Sequence, residues 1–349
     1  MFRKPVSVGG MLVLFLALIL GSSALWAGEK QASEKLQAAI RSYNSANFDA
    51  AIEQLKEIAY DPAIAPEQRR EALLYLGRCY VARRMMDEAR QAIRQLLELE
   101  PPPVELDPDR EAPPLLRIYY EERKRKSGGS LELEGKNPGI KTLAIMDFYN
   151  RSITDKEKYD PMEKGFADIL IHRLNGATSL KVVERERLQW ILDELEIQDR
   201  YHMEGAVRAG KLLGVHAVVF GSFILAGEEL WLSARVVKVE TGEILLTEEI
   251  RGEVGKFFDL TEKLSEKIRQ AIEEKIDYSQ TEPGPTAPNS LEAMMAYSEG
   301  LALLEKGDYD GAYEKFHQAL KYDPGYVRAR EKAESIKYLL AYTATNNAN

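Results

Sequence analysis

The spacing of hydrophobic residues changes along the chain and divides it into three parts. Within residues 28–126 and 290–349, apolar side chains recur every three to four positions, which predicts amphipathic helices. Within residues 140–277, short continuous apolar runs alternate with helical periods, which predicts strands and helices together. The pattern therefore predicts an α+β multidomain protein, in which a central α/β domain with a mixed sheet and helices is flanked by all-α helical arms.

Two stretches without apolar periodicity separate these parts. Residues 127–139 ("SGGSLELEGKNPG") and residues 278–289 are rich in Gly, Pro and Ser, which is typical of linkers. We therefore expect three domains, with a closing helix and a tail at the end of the last one.

A hairpin is predicted near the end of the central domain, in "LWLSARVVKVETGEILLTEEIRG". Thr241-Gly242 provides a tight turn between two apolar strands. The alternation of the first strand slips at Val236-Val237, which predicts a bulge or a strand buried on both faces. We expect the hairpin to bury four apolar side chains in the domain core, namely Leu232, Val236, Ile244 and Leu246.

The first residues have the pattern of an export signal. Arg3 and Lys4 precede an apolar run of ten residues that begins at Met11, and small residues follow up to Ala27. Ten residues are too few to cross the roughly 30 Å hydrocarbon layer as a helix. We therefore expect a cleaved signal peptide over residues 1–27 and a periplasmic mature chain without an integral membrane span, with peripheral association with the outer membrane as an open alternative. An uncleaved anchor is the rival interpretation, because Leu25 is a less usual residue than alanine three positions before the cleavage point.

Charge and cysteine content disfavour some classes of protein. Removal of Arg3 and Lys4 leaves 45 basic against 56 acidic residues, a net charge of −11, which disfavours nucleic-acid binding. Cys79 is the one cysteine, so no internal disulfide is expected, and its helical context predicts a buried thiol. Because no cysteine lies near the predicted cleavage point, we do not expect a lipoprotein.

The helical arms resemble the tetratricopeptide family. In "EALLYLGRCYVARRMMDEARQAIRQLLELEP", Gly77, Tyr80, Ala89 and Pro101 stand at the offsets of a 34-residue repeat. "AMMAYSEGLALLEKGDYDGAYEKFHQALKYDP" is a further copy close to the end of the chain. Small residues at these offsets let two antiparallel helices approach closely.

In such repeats the first helix of each pair lines a concave groove, and this implies a partner-binding surface. The groove residues implied in this sequence are Glu71, Leu74 and Arg78 in the first arm, and Met294, Tyr297, Leu301 and Leu304 in the last. The last four are apolar, so they either pack on the closing helix "VRAREKAESIKYLLAY" or hold a partner segment.

The central domain resembles the CsgG-type family of curli production assembly and transport components. The likeness is carried by "LAIMDF", "VVERERLQWILDELEIQ", "AGKLLGVHAVVFGSF" and "ARVVKVETGEIL", which occur in the family's order. The wider group includes flagellar outer-membrane proteins and lipoprotein activators of penicillin-binding proteins, so the fold is implied more firmly than the function. The resemblance also implies homo-oligomerisation or docking to envelope machinery through this domain.

One difference from the family's channel proteins disfavours a pore. Channel members carry long insertions that supply their transmembrane hairpins, and each such hairpin needs about 20 residues. Here the link between "VVFGSFI" and "LWLSARVV" has only five residues, Leu225 to Glu229.

The chain contains few candidates for catalytic residues. The four histidines have no His or Cys partner at ligand spacing, and no nucleophile or phosphate-loop motif occurs, so we expect no metal, no cofactor and no enzymatic activity. Asp147, at the end of a predicted strand, is the best candidate for a functional carboxylate, with a helix cap or loop hydrogen bond as the alternative. The polar loop that follows, with Asn150 and Arg151, is a candidate contact surface.

The sequence therefore favours a non-catalytic periplasmic CsgG-family scaffold or adaptor of a curli-like envelope secretion or assembly system. Its tetratricopeptide arms would recruit protein partners of the cell envelope. The alternatives are a subunit of an outer-membrane secretion channel, or a regulator of a cell-wall synthesis enzyme.

Overall fold

The computed structural model divides the chain into two compact units. One comprises Met1–Glu105 with Ala341–Asn349, and the other comprises Leu106–Leu340. The described residues are 30–100, 105–129, 142–175, 181–183, 185–194, 202–276, 288 and 290–346. The predicted signal peptide and most of both predicted linkers lie outside them.

The first unit consists of helices in antiparallel pairs. They are α1 (residues 30–44), α2 (Phe48–Ala59), α3 (Pro66–Ala82) and α4 (Met86–Glu98). The Asn47 side chain accepts a hydrogen bond from the backbone N–H of Ala50 and caps α2, and α3 begins with a proline, which already has a helical φ. The expected small and apolar positions are buried in this core, including Leu76, Cys79, Ala89 and Ile93.

Helix α5 (Pro113–Lys126) lies in the second unit, although the sequence places it in the first helical domain. Its apolar face, which includes Leu115 and Tyr119, is buried. The Tyr120 ring lies 5.5 Å from the ring of Trp190, a residue of the central domain. The compact units therefore differ from the predicted domains, because the apolar face of α5 packs on the central domain.

A single five-stranded sheet is formed by the described strands. The strands are β1 (Thr142–Asn150), β2 (Lys181–Val182), β3 (Ala217–Ala226), β4 (Glu229–Lys238) and β5 (Ile244–Glu253), in the order β2-β1-β3-β4-β5. β1 pairs in parallel with β2 and β3, whereas β3–β4 and β4–β5 are antiparallel. The predicted mixed sheet is confirmed.

Helices cover the two faces of this sheet. Helices α7 (Met162–Leu174) and α10 (Phe257–Ile276) pack on one face, around Phe166, Phe223 and Phe257. Helices α8 (Arg185–Glu194) and α9 (Met203–Leu213) pack on the other face at its β1–β3 end. The short helix α6 (Lys156–Tyr159) follows β1, and a single 3₁₀ turn (Val254–Lys256) precedes α10.

The β4–β5 hairpin confirms the predicted bulge and corrects one predicted core residue. The register shifts between Val236 and Val237, and both valines are fully buried, one on each face of the sheet. Leu232 is also fully buried, and Leu246 is partly buried against the same core. Ile244 instead pairs with Val237 beyond the bulge and is 45% exposed, so its predicted burial is wrong.

The turns of the sheet are tight. Gly242 has a φ of +73°, which favours glycine, and its backbone N–H donates to the carbonyl of Lys238. Ala226 pairs directly with Glu229, so only Gly227 and Glu228 connect β3 to β4. This link is shorter than the five residues expected from the sequence, because both strands extend further.

The C-terminal repeat is a helical hairpin closed by a third helix. It contains α11 (Leu291–Glu305), α12 (Tyr309–Tyr322) and α13 (Val327–Asn346). The Ser290 and Asp308 side chains cap α11 and α12. A Cβ atom at Gly300 would lie 2.5 Å from the Phe316 ring, so the absence of a side chain lets α11 and α12 approach closely.

The C-terminal repeat packs on α7 of the central domain. At the crossing of α7 and α11, a Cβ atom at Gly165 would lie 2.0 Å from the Ser298 hydroxyl oxygen and 3.2 Å from the Ser298 Cβ atom. Ser298 is fully buried, and its hydroxyl group donates to the carbonyl of Met294. Gly165 therefore determines how closely the repeat approaches the domain.

We expect Gly165→Ala to destabilise the second unit by about 1–3 kcal/mol, because the added methyl group overlaps Ser298. Denaturant unfolding can be followed by tryptophan fluorescence, since Trp190 and Trp231, the tryptophans beyond residue 27, both lie in this unit.

The matched control is Gly255→Ala, where the new Cβ atom would meet no atom within 4 Å. A second change, Ser298→Gly, should recover part of the loss in the Gly165→Ala chain. Equal unfolding midpoints for Gly165→Ala and Gly255→Ala would contradict the close approach of α7 and α11.

Candidate functional site

The first group of predicted partner-binding residues lies on α3. Glu71 is exposed, whereas Leu74 and Arg78 are half-buried. The Arg78 guanidinium carbon lies 4.6 Å from the centroid of the Tyr75 ring, and this ring meets Tyr43 of α1 edge-on at 5.2 Å. We call Tyr43, Leu74, Tyr75 and Arg78 the aromatic–arginine surface.

Sequence reasoning missed the two tyrosines of this surface. Tyr43 belongs to α1, which precedes the first repeat that the motif identifies, and Tyr75 lies beside the Leu76-Gly77 pair that marks the motif. Both rings are half-buried. The available signal was Tyr75 itself, three residues before Arg78 and therefore on the same side of the helix.

The second group of predicted partner-binding residues lies in the core. Met294, Tyr297 and Leu301 are fully buried, and Leu304 is 8% exposed. Met294 packs into the core beneath the sheet, and the other three pack with α12 and α13. Of the two alternatives, the structure therefore shows packing instead of an open groove, because the closing helix and the central domain cover these four residues.

The three predicted loop-contact residues have different environments. The Asn150 side chain is fully buried, and it donates to the carbonyl of Lys156 and to Asp160 Oδ1, both at 2.9 Å. It therefore stabilises the loop from within. Arg151 is exposed at the end of β1, so it alone of the three is accessible to a partner. Asp147 belongs to an ionic network.

This first network, the strand-end network, consists of Asp147, Lys164, Arg185 and Glu305. Arg185 Nε lies 3.2 Å from Asp147 Oδ1, and Lys164 Nζ lies 3.3 Å from Asp147 Oδ2. Both cations also pair with Glu305, at the end of α11. A carboxylate of the C-terminal repeat and a carboxylate of the central sheet thus share the same two cations.

The second network, the closing-helix network, joins α13 to three other segments. It consists of Asp109, Asp168, Glu186, Arg328 and Lys332. Arg328 lies 2.8 Å from Asp168 and 3.0 Å from Asp109, while Lys332 lies 3.0 Å from Asp109 and also pairs with Glu186. The Lys332 ammonium further donates to the carbonyl of Pro108 at 3.1 Å.

Burial sets the electrostatics of both networks. Lys332 is 1% exposed, and burial alone would lower its pKa, but Glu186 and Asp109 raise it above the ordinary lysine value. Burial would likewise raise the pKa of Asp147 and Asp109, yet their cationic partners outweigh burial and hold both values below the ordinary range. These groups are therefore charged at neutral pH.

Asp168 differs from the other carboxylates. Burial raises its pKa to about 6, the attraction of Arg328 opposes this shift, and the nearby Asp109 charge adds to it. Asp168 therefore shares the Arg328 cation with Asp109, whose pKa is lower.

This arrangement is suited to holding helices together. The acids are neutralised by buried cations, so Asp147 is an ion-paired structural carboxylate in this structure. Within the described part of the chain, no cluster of three or more His, Cys, Asp or Glu residues could hold a metal ion. Cys79 is buried, and burial raises the pKa of its thiol to about 12, which disfavours the reactive thiolate.

Comparison with protein-family models identifies the domains. The model described as "Curli production assembly/transport component CsgG" matches residues 136–230, and tetratricopeptide repeat models match residues 71–102 and 295–326. The chain carries a CsgG domain between two tetratricopeptide repeats. The resemblances seen in the sequence are therefore confirmed, and this domain composition supports a protein-interaction role of the cell-envelope type.

Two of the solved structures that match the chain each align with about a third of it. The C-terminal domain of LpoB from Salmonella enterica is 18% identical, and the match covers 33% of this chain and 86% of that domain with a TM-score of 0.25. Lipoprotein GNA1162 from Neisseria meningitidis is 14% identical, with 36% and 95% covered and a TM-score of 0.29. TM-scores this low do not establish a common fold. A comparison with curated proteins found no match.

None of the helices in the described part of the chain is long and apolar enough to cross a membrane.

We expect Lys332→Met to destabilise the second unit by about 3–5 kcal/mol, because the change leaves Asp109 and Glu186 partly buried without their shared cation. The measurement is denaturant unfolding followed by tryptophan fluorescence.

Arg110→Met is the control. The exposed Arg110 pairs with Glu331, which is the neighbour of Lys332 on α13. Loss of such an exposed pair should cost about 1 kcal/mol or less. A similar loss for both variants would contradict the structural role of the buried network.

The free energy of unfolding should depend on pH through Asp168. Because the Asp168 pKa is raised to about 6 from an ordinary value of 3.8, the folded chain holds a proton between these values that the unfolded chain has released. Asp168 therefore contributes stability at acid pH that is lost as the pH rises through about 6.

Asp168→Asn should remove this contribution. The variant should gain stability relative to wild type as the pH rises from 4 to 7, by on the order of 1–3 kcal/mol. Unfolding free energies at several pH values would measure the difference, and parallel pH profiles for the two chains would contradict it.

Proposed function

We propose that the protein is a non-catalytic periplasmic scaffold or adaptor of an envelope secretion or assembly system, exported by a signal peptide over residues 1–27. The CsgG domain would dock to envelope machinery or to other copies, and the first helical unit would recruit a protein partner. One observation carries the proposal: the groove side of the C-terminal repeat is buried, whereas the aromatic–arginine surface of the first unit is partly open.

The ionic networks support an adaptor with one recruiting arm. Lys332 is buried and pairs with Asp109 and Glu186, and Glu305 pairs with the buried Arg185, so the C-terminal repeat serves as a part of the central domain. The recruiting role then falls to α1 and α3.

The aromatic–arginine surface favours a peptide partner with an apolar anchor next to a carboxylate. Tyr43 and Tyr75 offer ring edges and faces for the anchor, and tyrosine and arginine are the residues enriched at binding hot spots. Arg78 is already held over the Tyr75 ring, so a carboxylate could pair with an ordered guanidinium group.

The location can be tested by cell fractionation. The full chain is expressed in a bacterium with two membranes, the periplasm is released by osmotic shock, and the membranes are washed with alkaline carbonate. We expect a mature chain that begins at Gly28 in the shock fluid. Retention in carbonate-washed outer membrane would instead support the channel alternative, although the two-residue β3–β4 link offers little chain for an insertion.

The recruiting surface can be tested by photo-crosslinking in the same cells. A photoreactive amino acid at position 74 should give an adduct with an envelope protein, and Arg78→Glu together with Tyr75→Ala should reduce its yield by about tenfold or more. Met86 of α4, which is 39% exposed, is the control position and should give no such adduct.

If the adduct persists in the doubly substituted chain, the aromatic–arginine surface does not recruit the partner. If the partner is a cell-wall synthesis enzyme whose turnover changes on addition of the purified chain, the regulator alternative replaces the scaffold.

A further inference from the structure

The outer edge of strand β5 is open in the described part of the chain. The sheet order places β5 last, and no described strand pairs with it on the side away from β4. The backbone N–H of Val254 donates to the carbonyl of Glu228 at 2.7 Å. Because hydrogen-bonded pairs alternate along an antiparallel ladder, the odd-numbered residues from Thr247 to Glu253 direct their N–H and C=O groups to the open edge.

This edge has only some of the features that prevent strands from pairing: it carries the charged side chains Glu248, Glu249, Arg251 and Glu253, but it is otherwise regular. β5 contains neither proline nor lysine, and its one register shift lies at the far end, beside Val236 and Val237. The segment from Thr247 to Glu253 pairs regularly with β4. A partner strand therefore meets a straight row of unpaired backbone groups.

The side chains along the edge carry complementary charges. Glu249 and Arg251 lie two residues apart on the face of the sheet that α10 does not cover. Arg251 Nε lies 2.7 Å from Glu249 Oε1, and the guanidinium carbon lies 4.2 Å from the centroid of the Trp231 ring. The arginine is therefore held in place next to the open edge.

We propose that β5 pairs antiparallel with β5 of a second copy of this chain, about a twofold axis at Ile250. In this register Glu249 of each copy lies opposite Arg251 of the other, and Thr247 lies opposite Glu253. Ile250 meets Ile250 of the second copy on the face that carries α10. The two sheets then form one continuous sheet of ten strands.

The charges on β5 favour this register over those in which the twofold axis lies at another residue of the strand. A twofold axis at Glu249 places two glutamates opposite each other. An axis at Arg251 opposes two arginines and also pairs Glu249 with Glu253. An axis at Gly252 also opposes Arg251 and Glu253 twice, but it pairs only residues 251–253 within β5. The axis at Ile250 gives two opposite-charge pairs and pairs residues 247–253, and like charges directly opposite each other are destabilising.

Pairing through β5 would be the contact by which the CsgG domain docks to other copies, so it rests on that part of the proposed function and not on the recruiting surface of the first unit. A chain that pairs through β5 could still fail the photo-crosslinking test, and a monomer could pass it.

The first experiment is disulfide trapping in the full chain. Ile250→Cys should form a symmetric intermolecular disulfide under mild oxidation, since facing residues of a non-hydrogen-bonded pair have Cα atoms about 4.5 Å apart. Thr247→Cys is the control, because two copies of residue 247 would be six positions apart, or roughly 20 Å. Cys79 is buried and does not compete. Equal trapping at both positions, or none at residue 250, would overturn the proposed register.

The second experiment is charge reversal, measured by sedimentation across a range of protein concentrations. The wild-type chain should show a concentration-dependent dimer. Glu249→Arg and Arg251→Glu should each weaken it by about tenfold, since each change replaces two attractive pairs with two repulsive ones.

The double variant, Glu249→Arg with Arg251→Glu, should restore the dimer, and this recovery would not follow from damage to the fold. A monomeric wild-type chain at every concentration, or a double variant weaker than both single ones, would overturn the proposal. Far-UV circular dichroism checks that each variant is folded.

Discussion

The attachment of the C-terminal repeat to the CsgG domain depends on charges held away from water. The buried Lys332 pairs with the partly buried Asp109 and Glu186, and Glu305 shares two cations with Asp147. Removing charges from water is costly, so such a network stabilises an interface only when every member has its partner. Its geometric demands are stricter than those of an apolar contact, and this fixes one orientation of the repeat on the domain.

Apolar packing and charge act together at this interface. Gly165 allows α7 and α11 to approach, Met294 enters the core beneath the sheet, and the ionic groups surround this contact. The same repeat motif therefore serves two purposes in one chain. In the first unit it leaves a surface partly open, whereas near the C-terminus its groove side is filled by the closing helix and the central domain.

The local pattern of the sequence was sufficient to predict the fold class, the two repeats, the hairpin and the bulge at Val236-Val237. These features depend on neighbours a few residues apart. The ionic networks could not be predicted, because they join residues as distant as Asp109 and Lys332, and nothing in a linear pattern pairs them. From the sequence, Tyr297 and Leu301 could either pack on the closing helix or hold a partner segment. The packing of α13 against α11 and α12 shows that they are buried.

The wide separation of Asp109 and Lys332 along the chain has a consequence for folding order. The strands and helices of the sheet are synthesised before the cation that Asp109 and Glu186 share, because Lys332 follows Glu186 by 146 residues. Until α13 has been synthesised, Asp109 and Glu186 lack the cation that they share. The second unit therefore completes its ionic contacts only when α13 is in place, and fragments that end before α13 should be prone to aggregation.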